Sequence, residues 1–189
     1  MDATALSGGF ANAPIDAARA FRAALQAMAR PGSIHYVAGA NPPGPLSVAA
    51  GVLLLTLADP ETPLALLGDH DCQAVRDWVT FQCGAPFCTP AEATLAIGRW
   101  DALRPLDAYP IGTAEYPDRS ATLIVEMEAM TTNGARLTGP GIEQATSLSV
   151  PEVAALQRNA ALFPQGLDFF LCSGDRLAAL PRTTRVEAV

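Results

Sequence analysis

Residues 121–130, with the sequence Ala-Thr-Leu-Ile-Val-Glu-Met-Glu-Ala-Met, decide the fold class of this chain. Apolar and polar side chains alternate along the stretch, and a period of two predicts a β-strand with one face toward the core. The two faces carry, in turn, Leu123, Val125 and Met127, and then Thr122, Glu126 and Glu128. Asn133-Gly134 follows and predicts a tight hairpin into a second strand at 135–138.

Other elements surround this strand on both sides. The patterns predict helices at 16–30, 47–58, 71–84 and 149–162, and strands at 33–37, 63–67, 94–97, 168–172 and 177–180. The helix at 47–58 is apolar nearly all round, which predicts that it is buried, and Ser173-Gly174-Asp175 predicts a hairpin between the last two strands. In the first helix, Phe21, Leu25 and Met28 are spaced i, i+4, i+7, which predicts that they face the core. Helices alternate with strands early and hairpins dominate late, so we expect an α/β fold with a mixed β-sheet and helices packed on it. The length of 189 residues predicts a single domain over 1–189.

The composition excludes several classes of partner. Half of the residues are apolar, 16% are charged, and the net charge is −7. This acidic balance argues against a nucleic-acid-binding surface and against electrostatic docking on anionic lipid. A few arginines can still hold a phosphate locally.

Lysine is absent: all twelve basic residues are arginine. Pyridoxal phosphate enzymes need a lysine for the Schiff base, and imine-forming aldolases need one too. A P-loop needs its lysine to reach the phosphates of a nucleotide. The sequence therefore predicts that the chain uses no pyridoxal phosphate, and we expect no bound cofactor.

The cellular location is predicted from two further patterns. The first residues, Met1-Asp2-Ala3-Thr4, lack the positive charge of a secretory signal, and the apolar run at 48–58 is too short to cross a bilayer. Four cysteines are too few for a disulfide scaffold at this length. We therefore expect a cytoplasmic protein with reduced thiols and no membrane contact.

Cysteine and histidine suggest two kinds of site, neither with local support. Residues 69–72, Asp-His-Asp-Cys, with Cys83 and Cys88 nearby could supply zinc ligands. However, no C-x-x-C pair exists and His70 has no histidine four residues on, so a turn before a helix is the simpler interpretation and we expect no metal. A cysteine nucleophile with His35 or His70 as its base would require residues that meet only in space.

Two segments are candidates for anion binding, one because of its glycines and the other because of an arginine. In residues 138–142, Thr-Gly-Pro-Gly-Ile, Gly139 and Gly141 allow backbone N–H groups to converge on an anion, although Gly-Pro-Gly after a strand also fits a simple bend. Near the C-terminus, Arg182 with Thr183 and Thr184 could grip a phosphate or phosphonate. The alternative is that this segment packs internally or contacts another subunit.

Six short segments together resemble one bacterial family. They are 21–28 with Pro31-Gly32, 54–59 with Thr62-Pro63, 112–113, 137–142, 163–168 and 180–184. In this order and spacing they are similar to the PhnH family, a subunit of the carbon–phosphorus (C–P) lyase core complex of phosphonate metabolism.

The resemblance implies a fold similar to the large domain of pyridoxal-phosphate-dependent transferases, without a pyridoxal phosphate site. It implies a homodimer that joins other C–P lyase core subunits and is inactive alone. The implied complex combines ATP with an alkylphosphonate, releases adenine and makes a ribose 1-phosphonate 5-triphosphate, after which a sister subunit cleaves the C–P bond by radical chemistry. This chain lacks the cysteine cluster of an iron–sulfur centre, so it is not expected to be the radical subunit.

Three functional hypotheses remain open at this point. The first is a structural or co-catalytic subunit with a phosphonate or phosphate ligand at an interface. The second is a free-standing enzyme that acts on a phosphorylated metabolite through arginine-mediated anion binding. The third is a scaffold that binds no ligand.

Overall fold

The computed structural model describes residues 7–189, which contain five α-helices and nine β-strands. The helices are α1 (Ala13–Ala29), α2 (Val48–Leu57), α3 (Gln73–Gln82), α4 (Trp100–Leu103) and α5 (Val153–Ala160). The strands are β1 (His35–Tyr36), β2 (Leu64–Leu66), β3 (Leu95–Arg99), β4 (Thr122–Glu126), β5 (Ala135–Thr138), β6 (Thr146–Leu148), β7 (Asp168–Ser173), β8 (Arg176–Leu180) and β9 (Arg185–Glu187). None of the helices in this range has the length and hydropathy to span a bilayer.

A six-stranded sheet in the order β1-β8-β7-β4-β3-β2 forms the centre of the molecule. β7, β4, β3 and β2 run parallel, whereas β8 and β1 are antiparallel to their neighbours. A second, antiparallel sheet has the order β6-β5-β9. The prediction of an α/β fold with a mixed sheet is confirmed.

Both faces of the central sheet are covered, and each cover forms its own apolar cluster. One cluster joins α1, α2 and α3 to side chains such as Ile97, Ile124 and Phe170. The other joins the small sheet and α5 to the opposite face of the same strands, through Leu123 and Phe169. Parallel strands are normally buried on both faces, because the crossovers between them cover the sheet.

The strand predicted at 121–130 is shorter and more buried than the alternation indicated. β4 ends at Glu126, and Leu123, Ile124 and Val125 are all fully buried. The one-faced pattern was therefore wrong, because Ile124 fills the cluster on the face that we expected to be polar.

The hairpin predicted at Asn133-Gly134 does not form. β5 pairs with β6 and β9 in the small sheet rather than with β4. The hairpin predicted at Ser173-Gly174-Asp175 is confirmed: Ser173 pairs with Arg176, and Gly174 takes the positive φ of +59° that a two-residue turn requires.

The core face of α1 was also mispredicted. Ala20, Ala24 and Ala27 are buried against the rest of the molecule, whereas Phe21 and Leu25 are 53% and 54% exposed. Of the three residues predicted to face the core, Met28 alone packs partly against it. Three alanines at i, i+4, i+7 let the helix approach the sheet closely, so the small side chains lie inside and the large ones outside.

α2 confirms the prediction of a buried helix. Every residue from Ala49 to Leu54 is buried, and the hydroxyl of the N-cap residue Ser47 accepts a hydrogen bond from the Ala50 amide at 3.1 Å. The backbone N–H of Ser47 also donates to Glu126 at the end of β4, so the N-terminus of α2 lies at the edge where the parallel strands end.

Candidate functional site

Arg182, the first of the predicted anion ligands, is held inside the molecule. Its guanidinium donates to both oxygens of Asp168, with a distance of 2.5 Å to Oδ2, and to the Pro117 carbonyl at 2.7 Å. It also donates to the Ser120 hydroxyl, and its side chain is only 12% exposed. This "Arg182 clamp" ties the start of β7 to the loop before β4 and to the segment after β8. Anion binding by Arg182 stays a prediction, and it would require an anion to displace Asp168.

Three of the other four candidates, Gly139, Thr183 and Thr184, are brought together by strand pairing. Thr138 lies opposite Arg185 in the β5–β9 ladder, so Gly139 lies beside Thr183 and Thr184. At Gly139, where φ is +133°, a Cβ would lie 3.0 Å from the Thr183 carbonyl oxygen.

Gly141 is also needed as a glycine for structural reasons. Its φ is +80°, and a Cβ at this position would lie only 2.0 Å from the Ala29 carbonyl oxygen. Both glycines are thus required for close backbone packing, and anion binding by Gly139, Gly141, Thr183 and Thr184 stays a prediction.

Three of the four cysteines, Cys83, Cys88 and Cys172, are poor nucleophiles in this structure. Burial raises the pKa of Cys83 to about 12 and raises the pKa of Cys172 well above its ordinary value. Burial and the charge of Glu92 also raise the pKa of Cys88. Because the thiolate is the reactive form, these environments oppose nucleophilic catalysis. Within residues 7–189, no cysteine forms a hydrogen bond with a histidine.

The segment considered for metal binding forms a turn before α3. Asp71 accepts a hydrogen bond from Arg76 Nε at 2.5 Å, and Cys72 is the N-cap residue of the helix. In the part of the chain that the structure describes, no three His, Cys, Asp or Glu side chains are grouped so as to hold a metal ion. The other histidine, His35, contacts the Ser33 hydroxyl at 2.8 Å through Nε2.

The structure assembles a polar cluster that the sequence did not indicate. Four parallel strands end at one edge of the sheet, and their register places Arg99, Glu126 and Cys172 side by side at the ends of β3, β4 and β7. His70 follows β2 in a short 3₁₀ turn, and its Nε2 lies 3.9 Å from Glu126 Oε1. We call His70 and Glu126 the carboxyl-edge pair, since this edge is where open α/β sheets commonly bind ligands.

The N-terminus of α2 contributes to the electrostatics of the carboxyl-edge pair. The backbone N–H of Ser47 donates to Glu126 Oε1 at 2.7 Å, and the positive end of the helix dipole favours a carboxylate there. Burial raises the pKa of Glu126, and the hydrogen bonds from Ser47 oppose that rise.

His70 is buried, and its environment lowers its pKa. Its side chain is 2% exposed, and neither ring nitrogen has a hydrogen-bond partner within residues 7–189. Burial lowers the pKa of His70, with Asp69 opposing and Arg99 reinforcing the shift. A neutral imidazole beside a carboxylate is suited to proton transfer, but this pair is closed to solvent. Arg99 is the exposed residue of the cluster, and its Nη2 donates to Glu128 Oε1 at 2.6 Å.

The sequence missed this pair for an identifiable reason. Glu126 was assigned to the polar face of a strand, and His70 was considered only with its sequence neighbours. A partial signal exists for His70, which comes just after the strand predicted at 63–67. Glu126 lies inside the strand predicted at 121–130, so only the observed end of β4 brings the two residues to one edge.

A second feature is an apolar surface on α1. Five apolar residues at intervals of four, three, four and three lie on one side of the helix: Pro14, Ala18, Phe21, Leu25 and Met28. All but Met28 are exposed. We call this set the outer stripe of α1. Its spacing is that of a helix–helix seam, in which apolar residues repeat every 3.5 positions.

We expect Arg182→Ala to lower the free energy of unfolding by about 3–5 kcal/mol, because it leaves Asp168 largely buried without its partner. The matched control is Arg136→Ala, which removes an exposed pair with Glu187 and should cost about 1 kcal/mol or less. Urea unfolding followed by circular dichroism gives both values. Equal costs for the two variants would show that the Arg182 clamp contributes no more than a surface pair.

The carboxyl-edge pair predicts a pH dependence of stability. The pKa of His70 is lowered from its ordinary 6.5, so the unfolded chain binds a proton on this ring that the folded chain does not. Stability that is present above pH 6.5 should therefore be lost as the pH falls toward the lowered pKa. Glu126 acts in the opposite sense, since its raised pKa makes stability fall as the pH rises above 4.5 through that pKa.

His70→Gln should make the urea midpoint less dependent on pH between about 7.5 and 5.5 than in the unmodified chain. His35→Gln removes the other histidine and should leave the His70 effect in place. Parallel pH curves for the unmodified chain and His70→Gln would contradict the assignment.

Comparison with known proteins extends over nearly the whole chain. Residues 8–187 match the family model described as bacterial phosphonate metabolism protein (PhnH). The chain is 37% identical over 191 aligned positions to the alpha-D-ribose 1-methylphosphonate 5-triphosphate synthase subunit PhnH of Rhizobium meliloti, covering 96% of this chain and 95% of that protein. It is 38% identical over 104 positions, about half of either protein, to HtxG, a candidate C–P lyase subunit of Stutzerimonas stutzeri. The chain belongs to the PhnH family.

Proposed function

We propose that this chain is a subunit of a C–P lyase complex in phosphonate catabolism and that it supports the formation of ribose 1-methylphosphonate 5-triphosphate. One observation carries the proposal: the similarity to the R. meliloti synthase subunit extends over 96% of the chain, including the elements that build both apolar clusters. HtxG, which carries a C–P lyase name, supports the same class of assembly.

The role is structural or co-catalytic rather than independently catalytic. The carboxyl-edge pair is closed, with His70 only 2% exposed, so a substrate cannot reach the imidazole without a rearrangement. The thiols of Cys83, Cys88 and Cys172 have raised pKa values and remain protonated. Partner subunits supply the reacting groups in this proposal.

The chain forms a homodimer through the outer stripe of α1. Phe21 and Leu25 are large apolar side chains that the protomer leaves half exposed, while the neighbouring side of the same helix, which carries the three buried alanines, packs inside the protomer. The 3.5-residue spacing suits packing against another helix, and a two-fold axis would place the stripe against its own copy. Other core subunits then bind elsewhere on the dimer.

Three broader expectations belong to the same proposal. The fold is related to the large domain of pyridoxal-phosphate-dependent transferases, which the parallel strands β2, β3, β4 and β7 and the covering helices support. The chain is one domain, which is supported by the central sheet shared between the two clusters. The protein works in the cytoplasm, the expected place for a pathway that uses ATP.

We expect the chain to be inactive until its partners are present. ATP and methylphosphonate incubated with the purified chain should release no adenine, and addition of the other core subunits should start the release. Recovery of this chain with those subunits, from cells grown on a phosphonate as sole phosphorus source, is the companion result. Adenine release by the chain alone would instead favour the free-standing enzyme.

Light scattering at micromolar concentration should give twice the chain mass of 19.7 kDa. Phe21→Glu with Leu25→Glu should convert the dimer to a monomer, because buried unpaired carboxylates are costly. Phe81→Glu, on α3 and also 53% exposed, is the control and should stay dimeric. A dimer that survives the double substitution would exclude the outer stripe as the contact, and a monomeric unmodified chain would exclude the dimer itself.

A further inference from the structure

A cleft lies between two segments that the preceding sections have not assigned a role. One wall is formed by residues 101–111, from α4 onward, and the other by residues 152–162, which contain α5. The cleft has a volume of about 820 Å³, which falls within the usual range for small-molecule sites. Its walls are mostly apolar and include Leu106, Ile111 and Leu162.

The walls of the cleft are fixed before any ligand arrives. The amide of Asn159 on α5 makes two hydrogen bonds with the backbone of Leu167, at 2.8 and 2.9 Å. Trp100 Nε1 donates to Glu152 Oε2 at 3.0 Å, which joins α4 to the N-cap residue of α5. A site on a pre-formed scaffold loses less entropy when it binds.

Two arginines face this cleft and share one carboxylate. Arg104 Nη1 lies 3.6 Å from Glu152 Oε2, and Arg158 Nη2 lies 3.5 Å from Glu152 Oε1. Both distances exceed hydrogen-bond length. By contrast, the arginine–carboxylate distances are 2.5 Å at Arg76–Asp71 and 2.6 Å at Arg136–Glu187.

The donors of the two arginines are therefore available. Within residues 7–189, neither the Arg104 nor the Arg158 guanidinium donates a hydrogen bond. Tyr109 adds a third donor, because its hydroxyl has no partner in the same range and burial raises its pKa to about 12, which keeps it protonated. Arginine pairs are suited to phosphate oxygens, which accept two parallel hydrogen bonds from a guanidinium.

The acidic residues of the cleft narrow the class of ligand. Asp101 and Asp107 line it together with Glu152, so the charged side chains sum to −1 (two arginines against three carboxylates). A bare anion would meet repulsion here. Hydroxyl groups would not, because carboxylates accept hydrogen bonds from them.

We propose that the cleft between α4 and α5 binds a phosphorylated, hydroxyl-bearing small molecule, with its phosphate on Arg104 and Arg158 and its organic part against the apolar wall. Binding exchanges the loose contacts with Glu152 for direct hydrogen bonds to phosphate. This inference deepens the proposed function, on which it rests for the choice of probes.

Isothermal titration of the purified chain, without magnesium, tests the site with three probes: ATP, ribose 5-phosphate and tripolyphosphate. ATP or ribose 5-phosphate should bind, and which of them binds more tightly tells a nucleoside phosphate from a sugar phosphate. Tripolyphosphate, which lacks the organic part, should bind more weakly than the better of the two. Equal or tighter binding of tripolyphosphate would overturn the role of the apolar wall, and no binding of either organic probe at millimolar concentration would overturn the site.

Three substitutions separate this site from a non-specific charge effect. Arg104→Ala and Arg158→Ala should each weaken binding of the better probe about tenfold or more, because each removes charge-assisted hydrogen bonds. Glu152→Gln should strengthen binding several-fold, since it removes the competing charge and keeps an oxygen for Trp100.

Arg136→Ala, at an ion pair in the small sheet, is the control and should change nothing. Both cleft arginines are more than half exposed, so their substitution should leave the fold intact. Affinity that is insensitive to Arg104→Ala and Arg158→Ala would overturn the proposal. The titration needs no partner subunits, so its failure is distinct from a failure of the adenine-release assay.

Discussion

Burial of β4 on both faces is the constraint on which the rest of the structure depends. Leu123, Ile124 and Val125 are consecutive and fully buried, so the strand needs apolar cover above and below it. The helices α1, α2 and α3 supply one cover, and the small sheet with α5 supplies the other. Hydrogen bonding to β3 and β7 then sets the register of the parallel strands and fixes what meets at each end of the sheet.

Each end of the parallel strands carries one buried polar arrangement. At the amino ends, Asp168 lies beside Thr122 in register and holds Arg182, which ties the C-terminal segment to the sheet. At the carboxyl ends, Glu126 accepts a hydrogen bond from the Ser47 amide at the N-terminus of α2 and lies near His70. The first arrangement satisfies its donors internally. The second leaves both ring nitrogens of His70 without a hydrogen-bond partner among residues 7–189, so its polar groups are less completely satisfied than those of the first.

Two other surfaces are available to other molecules. The outer stripe of α1 offers large apolar side chains to another polypeptide, and the α4–α5 cleft offers arginine donors beside an apolar wall. A subunit that pairs through one surface and holds a phosphorylated molecule in the other would contribute to a complex without carrying its chemistry. The absence of lysine is consistent with that division, because the chain cannot form an imine with a cofactor or substrate.

The sequence by itself determined the α/β class, the buried helix α2, the β7–β8 hairpin and the family, because each depends on a local pattern or on an ordered set of short segments. It could not choose between the two apolar sides of α1, since Ala20, Ala24 and Ala27 have the same helical spacing as Phe21, Leu25 and Met28. Only packing against the sheet decided that the small side chains lie inside. The contacts of β5 with β9, of Arg182 with Asp168, of Glu126 with Ser47 and of Glu152 with Trp100 were likewise decided by tertiary structure. They join residues between 14 and 79 positions apart, and no local pattern encodes them.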